Sequence, residues 1–103
     1  MAEELEPFAQ LERQKLNLET AVIGWHDLQR FFAAGRVLQV AKTLDLIEVA
    51  TQMALDNSPM WQQWLQLGLV RAVADCQAAT WYRDNTLLWA VVVRPWVLVQ
   101  RYE

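Results

Sequence analysis

The single histidine, His26, is the first residue whose type could support catalysis. If residues 8–33 form one helix, Glu19, His26 and Arg30 fall within about 40° of one another, because seven residues nearly complete two helical turns. A carboxylate beside an imidazole can act as a general base. The alternative is a solvent-exposed helix face, on which ion pairs three or four residues apart contribute only about 0.2–0.5 kcal/mol each. We favour the exposed face.

The residues of this chain give little support for nucleophilic catalysis or for a metal site. Ser58 precedes Pro59, which is typical of a helix start where the hydroxyl caps the backbone. Cys76 is expected early in a helix, as a buried or half-buried thiol. No His-x-x-x-His pair and no carboxylate-rich ligand pattern occurs. We therefore predict no catalytic residue, no metal and no cofactor.

Six tryptophans are the unusual feature of the composition. Trp25 and Trp64 fall on apolar helix faces, which predicts core positions. The other four are difficult to bury together in a 12.0 kDa chain, and tryptophan is enriched at interfaces. They are candidates for a dimer contact, for a pocket that binds a small apolar ligand, or for stacking on nucleic-acid bases: Trp61, Trp81, Trp89 and Trp96.

Composition excludes several classes of protein. The chain has 103 residues, 54% of them hydrophobic, and a net charge of −3. Such a composition is too apolar for a disordered chain, and its acidity argues against a nucleic-acid partner. The acidic start and an apolar run of only seven residues, Leu87–Val93, predict no signal peptide and no membrane span. A single cysteine fits a cytoplasmic location. We predict one soluble cytoplasmic domain over residues 1–103.

Apolar side chains recur every seven residues in the first third of the chain: Leu11, Leu18, Trp25 and Phe32. This spacing predicts a helix over about 8–33, preceded by a flexible segment of about 1–7. The helix would be roughly 39 Å long at ~1.5 Å per residue, which exceeds a domain with a radius of gyration near ~13 Å. We therefore expect it to project or to lie against a second subunit.

Hydrophobic patterns and capping residues place the remaining elements. Asp45 with Glu48 three residues later is a capping-box pattern. The predicted order is α-β-α-α-β-α-β, an α+β fold with a small mixed sheet of three strands, or four if the last one splits at Pro95. The predicted elements after the first helix are a strand over about 36–41, helices over about 45–55 and 59–67, a strand over about 69–73, a helix over about 75–84 and a strand over about 87–102 bent at Pro95.

The residue pattern of the last predicted strand indicates where this strand lies in the sheet. Both alternate faces of residues 87–93 are apolar, which is typical of a central strand covered on both sides. Sixteen extended residues would span roughly 50 Å, so the segment either bends at Pro95 or pairs through its tail with another chain. The helix before it would permit a right-handed parallel crossover from the preceding strand.

A weak internal repeat links two segments at an offset of 33 residues. Each consists of the end of a helix, a glycine and a strand, centred on Gly35 and Gly68. Two copies are too few for a solenoid. The match reflects either a duplication or the same helix-capping chemistry used twice.

Several stretches together resemble a known family. They lie at 16–25, 28–37, 44–50 and 88–100, and the last is the most specific: Leu88-Trp89-Ala90-Val91-Val92-Val93-x-Pro95-Trp96-Val97-Leu98-Val99-Gln100. From about residue 11 to residue 100, the chain resembles a bacterial family of small single-domain proteins catalogued as domain of unknown function 2288. The resemblance implies a bacterial cytoplasmic origin. The family has no assigned activity, so no functional residue is transferred.

Three functional hypotheses follow from the sequence. The favoured one is a non-catalytic interaction or accessory protein that forms a homodimer or higher oligomer, through the long first helix or the C-terminal strand, with a further protein partner left open. The first alternative is a small-molecule-binding protein with a Trp-lined pocket. The second is an enzyme using Glu19 and His26.

Overall fold

A computed structural model describes the backbone of residues 2–102 and the side chains of residues 10–102. Within these residues, helices and strands are interleaved. The helices are α1 (Ala2–Glu19), α2 (Trp25–Ala33), α3 (Leu46–Ala54), α4 (Ser58–Gln66) and α5 (Asp75–Asp84). The strands are β1 (Ala21–Gly24), β2 (Val37–Val40), β3 (Val70–Ala72), β4 (Leu87–Val93) and β5 (Trp96–Arg101).

The strands form one mixed sheet in the order β1-β4-β5-β2-β3. The central strand, β5, pairs antiparallel with β4 on one side and parallel with β2 on the other. The edge strands β1 and β3 pair antiparallel with β4 and β2. The α+β class and the mixed sheet are confirmed, but the described residues contain five strands rather than three or four.

Helices cover both faces of the sheet, so the fold has three layers. On one face, Trp25 of α2 and Trp81 of α5 pack in a cluster with Leu88 and Val99 of the sheet. On the other face, the core cluster combines α1 and α3 with the sheet: Leu16, Leu46, Val49, Ala50, Val91 and Leu98. Alternation of side chains along β4 and β5 sends neighbouring residues into opposite layers.

The predicted helix over residues 8–33 is wrong, because a four-residue strand divides it. The Thr20 hydroxyl donates to the Leu16 carbonyl oxygen at 2.7 Å at the end of α1. The β-branched pair Val22–Ile23 then favours extended backbone, and β1 pairs with residues 87–90 of β4. The seven-residue spacing therefore connects residues that belong to two different helices.

The beginning of α1 also differs from the sequence prediction. The helix begins at Ala2, so the backbone of residues 2–7 is helical where we expected flexible chain. Met1 lies outside the described residues. Only Leu16 of the described α1 side chains is fully buried, whereas Leu11 and Leu18 of the predicted apolar stripe are exposed.

The C-terminal segment is a hairpin rather than one bent strand. Proline has no N–H group for a strand ladder, and the chain reverses at Arg94–Pro95, whose peptide bond is cis. Val93 pairs with Trp96 across the turn. The expected bend at Pro95 is thus a complete reversal. On the β2 side, β5 pairs only through residues 97–99, so pairing of the tail with another chain stays a prediction.

Two further expectations for the sheet can be compared with its topology. The strand β4 is internal, as its apolar pattern indicated, although Leu87 and Val92 remain exposed. The strands β3 and β4, which α5 connects, run parallel as the predicted crossover requires, because both run opposite to β5. They are not neighbours, since β5 and β2 lie between them. The observed bounds of the other predicted elements differ from the predicted ones by at most one residue.

One type of helix end explains the internal repeat. Gly35 and Gly68 both have a φ of 73° and follow a helix. Asp56 and Asn85, which lie outside the repeat, also have positive φ, at 58° and 44°, and follow α3 and α5. All four helix ends share the same backbone hydrogen-bond pattern, in which N–H groups reach back three and five residues. The matching glycines therefore reflect a cap that four helices use.

Candidate functional site

The structure separates the residues proposed for general base catalysis. Glu19 is the last residue of α1, whereas His26 and Arg30 lie on α2. His26 is exposed, and its Nε2 lies 2.7 Å from the Tyr82 carbonyl oxygen. Because a carbonyl oxygen only accepts, Nε2 carries the proton. Among the described residues no carboxylate hydrogen-bonds to this imidazole, so the Glu19–His26 pair is not formed.

A structural contact surrounds His26 instead. The Asn85 side-chain oxygen accepts from the His26 backbone N–H at 3.0 Å, at the second residue of α2. This side chain thus caps a helix that begins 60 residues earlier and has Gly24 at its N-cap. A Cβ atom on Gly24 would lie 2.5 Å from the Asn85 oxygen. The glycine is required here by the close approach of a side chain.

We expect Asn85→Gly to destabilise the protein by about 0.5–2 kcal/mol, which is the usual loss for a side-chain N-cap. Glycine keeps the left-handed backbone at this position, so the measured change isolates the amide. Asp56→Gly is the matched control, because Asp56 also has a positive φ and no side-chain hydrogen bond among the described residues. It should change the free energy of unfolding by less than about 0.5 kcal/mol in urea denaturation. Equal losses in both variants would contradict the long-range cap.

The other reactive residues occupy surface or helix-start positions. Cys76 is exposed, which corrects the expectation of a buried or half-buried thiol. The predicted cap by the Ser58 hydroxyl is wrong, because Ser58 is the first residue of α4, after the N-cap Asn57, and no side chain caps this helix start among the described residues. Within residues 10–102, no group of three or more His, Cys, Asp or Glu side chains could hold a metal ion.

The tryptophans divide into three environments. Trp25 and Trp81 are buried, with ring centroids 5.2 Å apart, so the prediction of Trp81 as a surface candidate is wrong. Trp61, Trp64 and Trp96 are half-buried, and Trp64 and Trp96 pack against the core beneath α3. Trp89 is exposed, and its ring centroid is 5.5 Å from that of Tyr102.

An uncharged surface is centred on α4. Residues 57–70 carry no charged side chain, and α4 has no fully buried residue. Met60, Leu65 and Leu67 are 40%, 38% and 64% exposed, and Trp61 is half-buried. We call these four side chains the α4 surface. The sequence predicts Trp61 as a surface candidate but not the aliphatic residues, because their exposure depends on how α4 packs.

Two grooves flank the helix α1. One, of about 740 Å³, lies between α1, the end of α3 and the end of β4, and charges of both signs line it, including Lys15, Glu19 and Arg94. The other, of about 280 Å³, lies between the end of α1, the start of α3 and the strands β4 and β5. We call the second the Trp89 groove, because Trp89 lines it together with Asp45 and Gln100.

The wall of the Trp89 groove is held by a cap and an ion pair. The Asp45 Oδ1 atom accepts from the backbone N–H groups of Ile47 and Glu48, at 2.9 and 3.4 Å, which confirms the predicted helix start. Glu48 does not complete the capping box: its carboxylate accepts from Arg13 of α1 at 2.8 Å. That hydrogen bond lowers the pKa of Glu48. The pair is partly exposed, so it contributes no more than about 1 kcal/mol.

Fold and surface together define a small α+β protein whose Glu19 and His26 do not form a catalytic pair. The chain belongs to the family described as "Protein of unknown function (DUF2288)", whose model matches residues 11–101. It is similar to PA1075 from Pseudomonas aeruginosa, whose structure was solved in solution by NMR. The two chains are 45% identical, with a TM-score of 0.77 over 86% of this chain and 82% of that one. No curated protein matches the sequence. No helix within the described residues is long and apolar enough to cross a membrane.

Proposed function

We propose that this protein is a non-catalytic interaction module that associates with a second copy of itself through the α4 surface. One observation carries the proposal: exposed Met60, Leu65 and Leu67 lie in a segment of fourteen residues without charge. Protein interfaces are depleted of charged residues and enriched in methionine and aromatic residues at their centre. The α4 surface has that composition.

The distribution of charge favours a second copy of this chain as the partner at the α4 surface. The chain carries a net charge of −3, so two copies repel each other weakly over most of their surfaces. An uncharged apolar surface meets its own copy without like-charge contacts, which suits the self-complementary interface of a two-fold dimer. Arg71, exposed on the edge strand β3, marks where the uncharged segment ends. We place the protein in the bacterial cytoplasm, which fits an exposed, unpaired Cys76.

A second surface, on α1, is the alternative contact. Leu11 and Leu18 are exposed seven residues apart on one helix, a spacing that places them on one face. The α4 surface is preferred because no charged residue lies within its segment, 57–70, whereas Glu12, Lys15 and Glu19 all lie within six residues of Leu18 in the sequence.

Sedimentation equilibrium at micromolar concentration tests the proposal. We expect a species of twice the 12.0 kDa chain mass. Met60→Glu and Leu67→Glu should each weaken the dimer at least about tenfold, since a buried unpaired charge destabilises an interface by more than about 1.4 kcal/mol. Leu18→Glu is the matched control, because it adds the same charge at an exposed leucine of α1 and should leave the dimer intact.

Two outcomes would overturn this assignment. A wild-type protein that sediments only at the chain mass would exclude the dimer. A dimer that Leu18→Glu dissociates while Met60→Glu does not would place the contact on α1. Circular dichroism of each variant verifies that loss of association does not result from unfolding.

A further inference from the structure

The Trp89 groove has a chemical character that the proposed interaction does not use. It involves none of the α4 residues, so its occupant can be inferred independently. Its polar lining residues are Asn17, Thr20, Asp45 and Gln100, and its exposed ring is that of Trp89. The ring of Tyr102 packs against Trp89, which extends the aromatic surface. A volume of about 280 Å³ suits a small molecule or one long side chain.

The side-chain donors of two residues that line the groove, Gln100 and Thr20, are already used. Both hydrogens of the Gln100 amide are directed to backbone carbonyls, those of Ala41 at 2.9 Å and Leu44 at 2.8 Å. The Thr20 hydroxyl donates to the Leu16 carbonyl oxygen. A Gln amide has two N–H donors and a hydroxyl has one, so the fixed groups present only acceptors: Gln100 Oε1 and the lone pairs of Thr20 Oγ1. Asn17 offers free donors as well as an acceptor, and the Trp89 indole N–H is a further donor without a partner among the described residues.

The charge of the groove has one sign. Asp45 is the single charged residue among those that line it. Its Oδ1 atom makes both cap hydrogen bonds, while Oδ2 makes none among the described residues. A negative carboxylate, fixed acceptors and an exposed indole ring occur together here. This combination disfavours an anion and favours a cationic donor that stacks on an aromatic face.

We propose that the Trp89 groove binds a small organic cation that carries N–H donors, specifically a guanidinium group stacked on Trp89 and hydrogen-bonded to Asp45 and Gln100. Guanidinium is planar, always charged at neutral pH and donor-only, and it stacks on aromatic rings while its edge donates to carboxylate and amide oxygens. An ammonium ion can donate to the same acceptors, but it has no planar face that could stack on the Trp89 ring.

NMR titration of ¹⁵N-labelled protein with N-ethylguanidinium tests the proposal. The Trp89 indole N–H and the Gln100 side-chain amide are expected to shift with one saturable binding constant. N-ethylurea has a similar shape without the charge, and tetramethylammonium has the charge without donors. Each should bind at least about threefold more weakly than N-ethylguanidinium, because each lacks one of the two interactions.

Substitutions distinguish binding in the Trp89 groove from non-specific attraction of a cation to an acidic protein. Asp45→Asn keeps an N-cap acceptor, since Asn caps helices as well as Asp does, but it removes the charge and should weaken binding about threefold. Trp89→Leu should weaken it about fivefold. Asp56→Asn removes the same charge at the other end of α3, where Asn tolerates the positive φ, and should leave binding unchanged.

The source of the guanidinium is distinguished by one more probe. N-acetyl-arginine N-methylamide presents the group as it occurs in a peptide. Tighter binding of this probe than of N-ethylguanidinium indicates an arginine side chain of another protein, and equal or weaker binding indicates a free small molecule. The proposal is overturned if N-ethylurea binds as well as N-ethylguanidinium, if Asp56→Asn weakens binding as much as Asp45→Asn, or if no resonance of the groove shifts.

Discussion

A chain that ends at Arg94 is expected not to fold, because the truncation removes the central strand of the sheet. Residues 96–101 pair with β4 on one side and with β2 on the other. Val97, Leu98 and Val99 are at most 4% exposed and belong to the cores on both faces. Their loss would separate β4 with β1 from β2 with β3 and expose both cores. The expected result is loss of amide dispersion in NMR spectra and of a cooperative thermal transition.

A chain that ends at Arg101 is the control for this truncation. It retains every residue of β5 and loses only exposed Tyr102 and the final Glu103. It should unfold cooperatively, at a temperature within a few degrees of the full chain. A cooperative transition in the chain that ends at Arg94 would contradict the central place of β5, and unfolding of both chains would show that the final residues matter independently of the strand.

Trp25→Ala is expected to lower the free energy of unfolding by about 3–5 kcal/mol. The Trp25 side chain is fully buried and contacts the rings of Trp81 and Phe32, at centroid distances of 5.2 and 5.6 Å. Its indole N–H donates to Gln29 at 2.7 Å. Alanine leaves a large cavity between α2, α5 and the sheet. Since small domains are stable by only about 5–15 kcal/mol, urea denaturation should show a large fall in the midpoint.

Trp89→Ala is the matched control for the buried ring. Trp89 is 38% exposed, so its truncation removes less buried surface, and we expect a loss below about 1.5 kcal/mol. Trp25→Phe retains most of the ring and should lie between the two alanine variants, which keeps the test informative if Trp25→Ala does not fold. Equal losses for Trp25→Ala and Trp89→Ala would contradict the assignment of core and surface.

Elements with local signals could be predicted closely. The acidic residue before α3 and the glycines after α2 and α4 act within one helical turn, and the observed bounds of α3, α4 and α5 lie within one residue of the predicted ones. The cap at Asp45 formed as predicted. Glu48 was not predicted correctly, because Arg13, 35 residues away in the sequence, competes for its carboxylate.

The sequence-based predictions were wrong where a local pattern was compatible with two structures. The spacing of Leu11, Leu18 and Trp25 fits a helix, but the intervening Val22–Ile23 pair forms an edge strand on β4. No local signal shows that β4 has an available edge there. In the same way, apolar residues on both faces of 87–93 indicated an internal strand, but not which neighbours it would have.

For the candidate sites, residue types were easier to predict than positions. The four tryptophans named as surface candidates include Trp89, which lines a groove, and Trp61 of the α4 surface, but also Trp81, which is buried against Trp25. Helix α5 has a mixed sequence, so the side that faces the sheet depends on packing with α2. The Glu19–His26 hypothesis failed because it required one continuous helix.

The amino-acid sequence by itself determined the α+β class, the cap at Asp45, the glycine helix ends and the membership in a family, because these depend on residue type and short spacing. Only the tertiary structure decided that β5 is central, that a strand interrupts the first helix, and which tryptophans are exposed. Those features result from pairing and packing between residues far apart in the chain, such as Asn85 with His26 and Gln100 with Ala41. Short-range patterns do not encode which distant partner a strand or side chain will find.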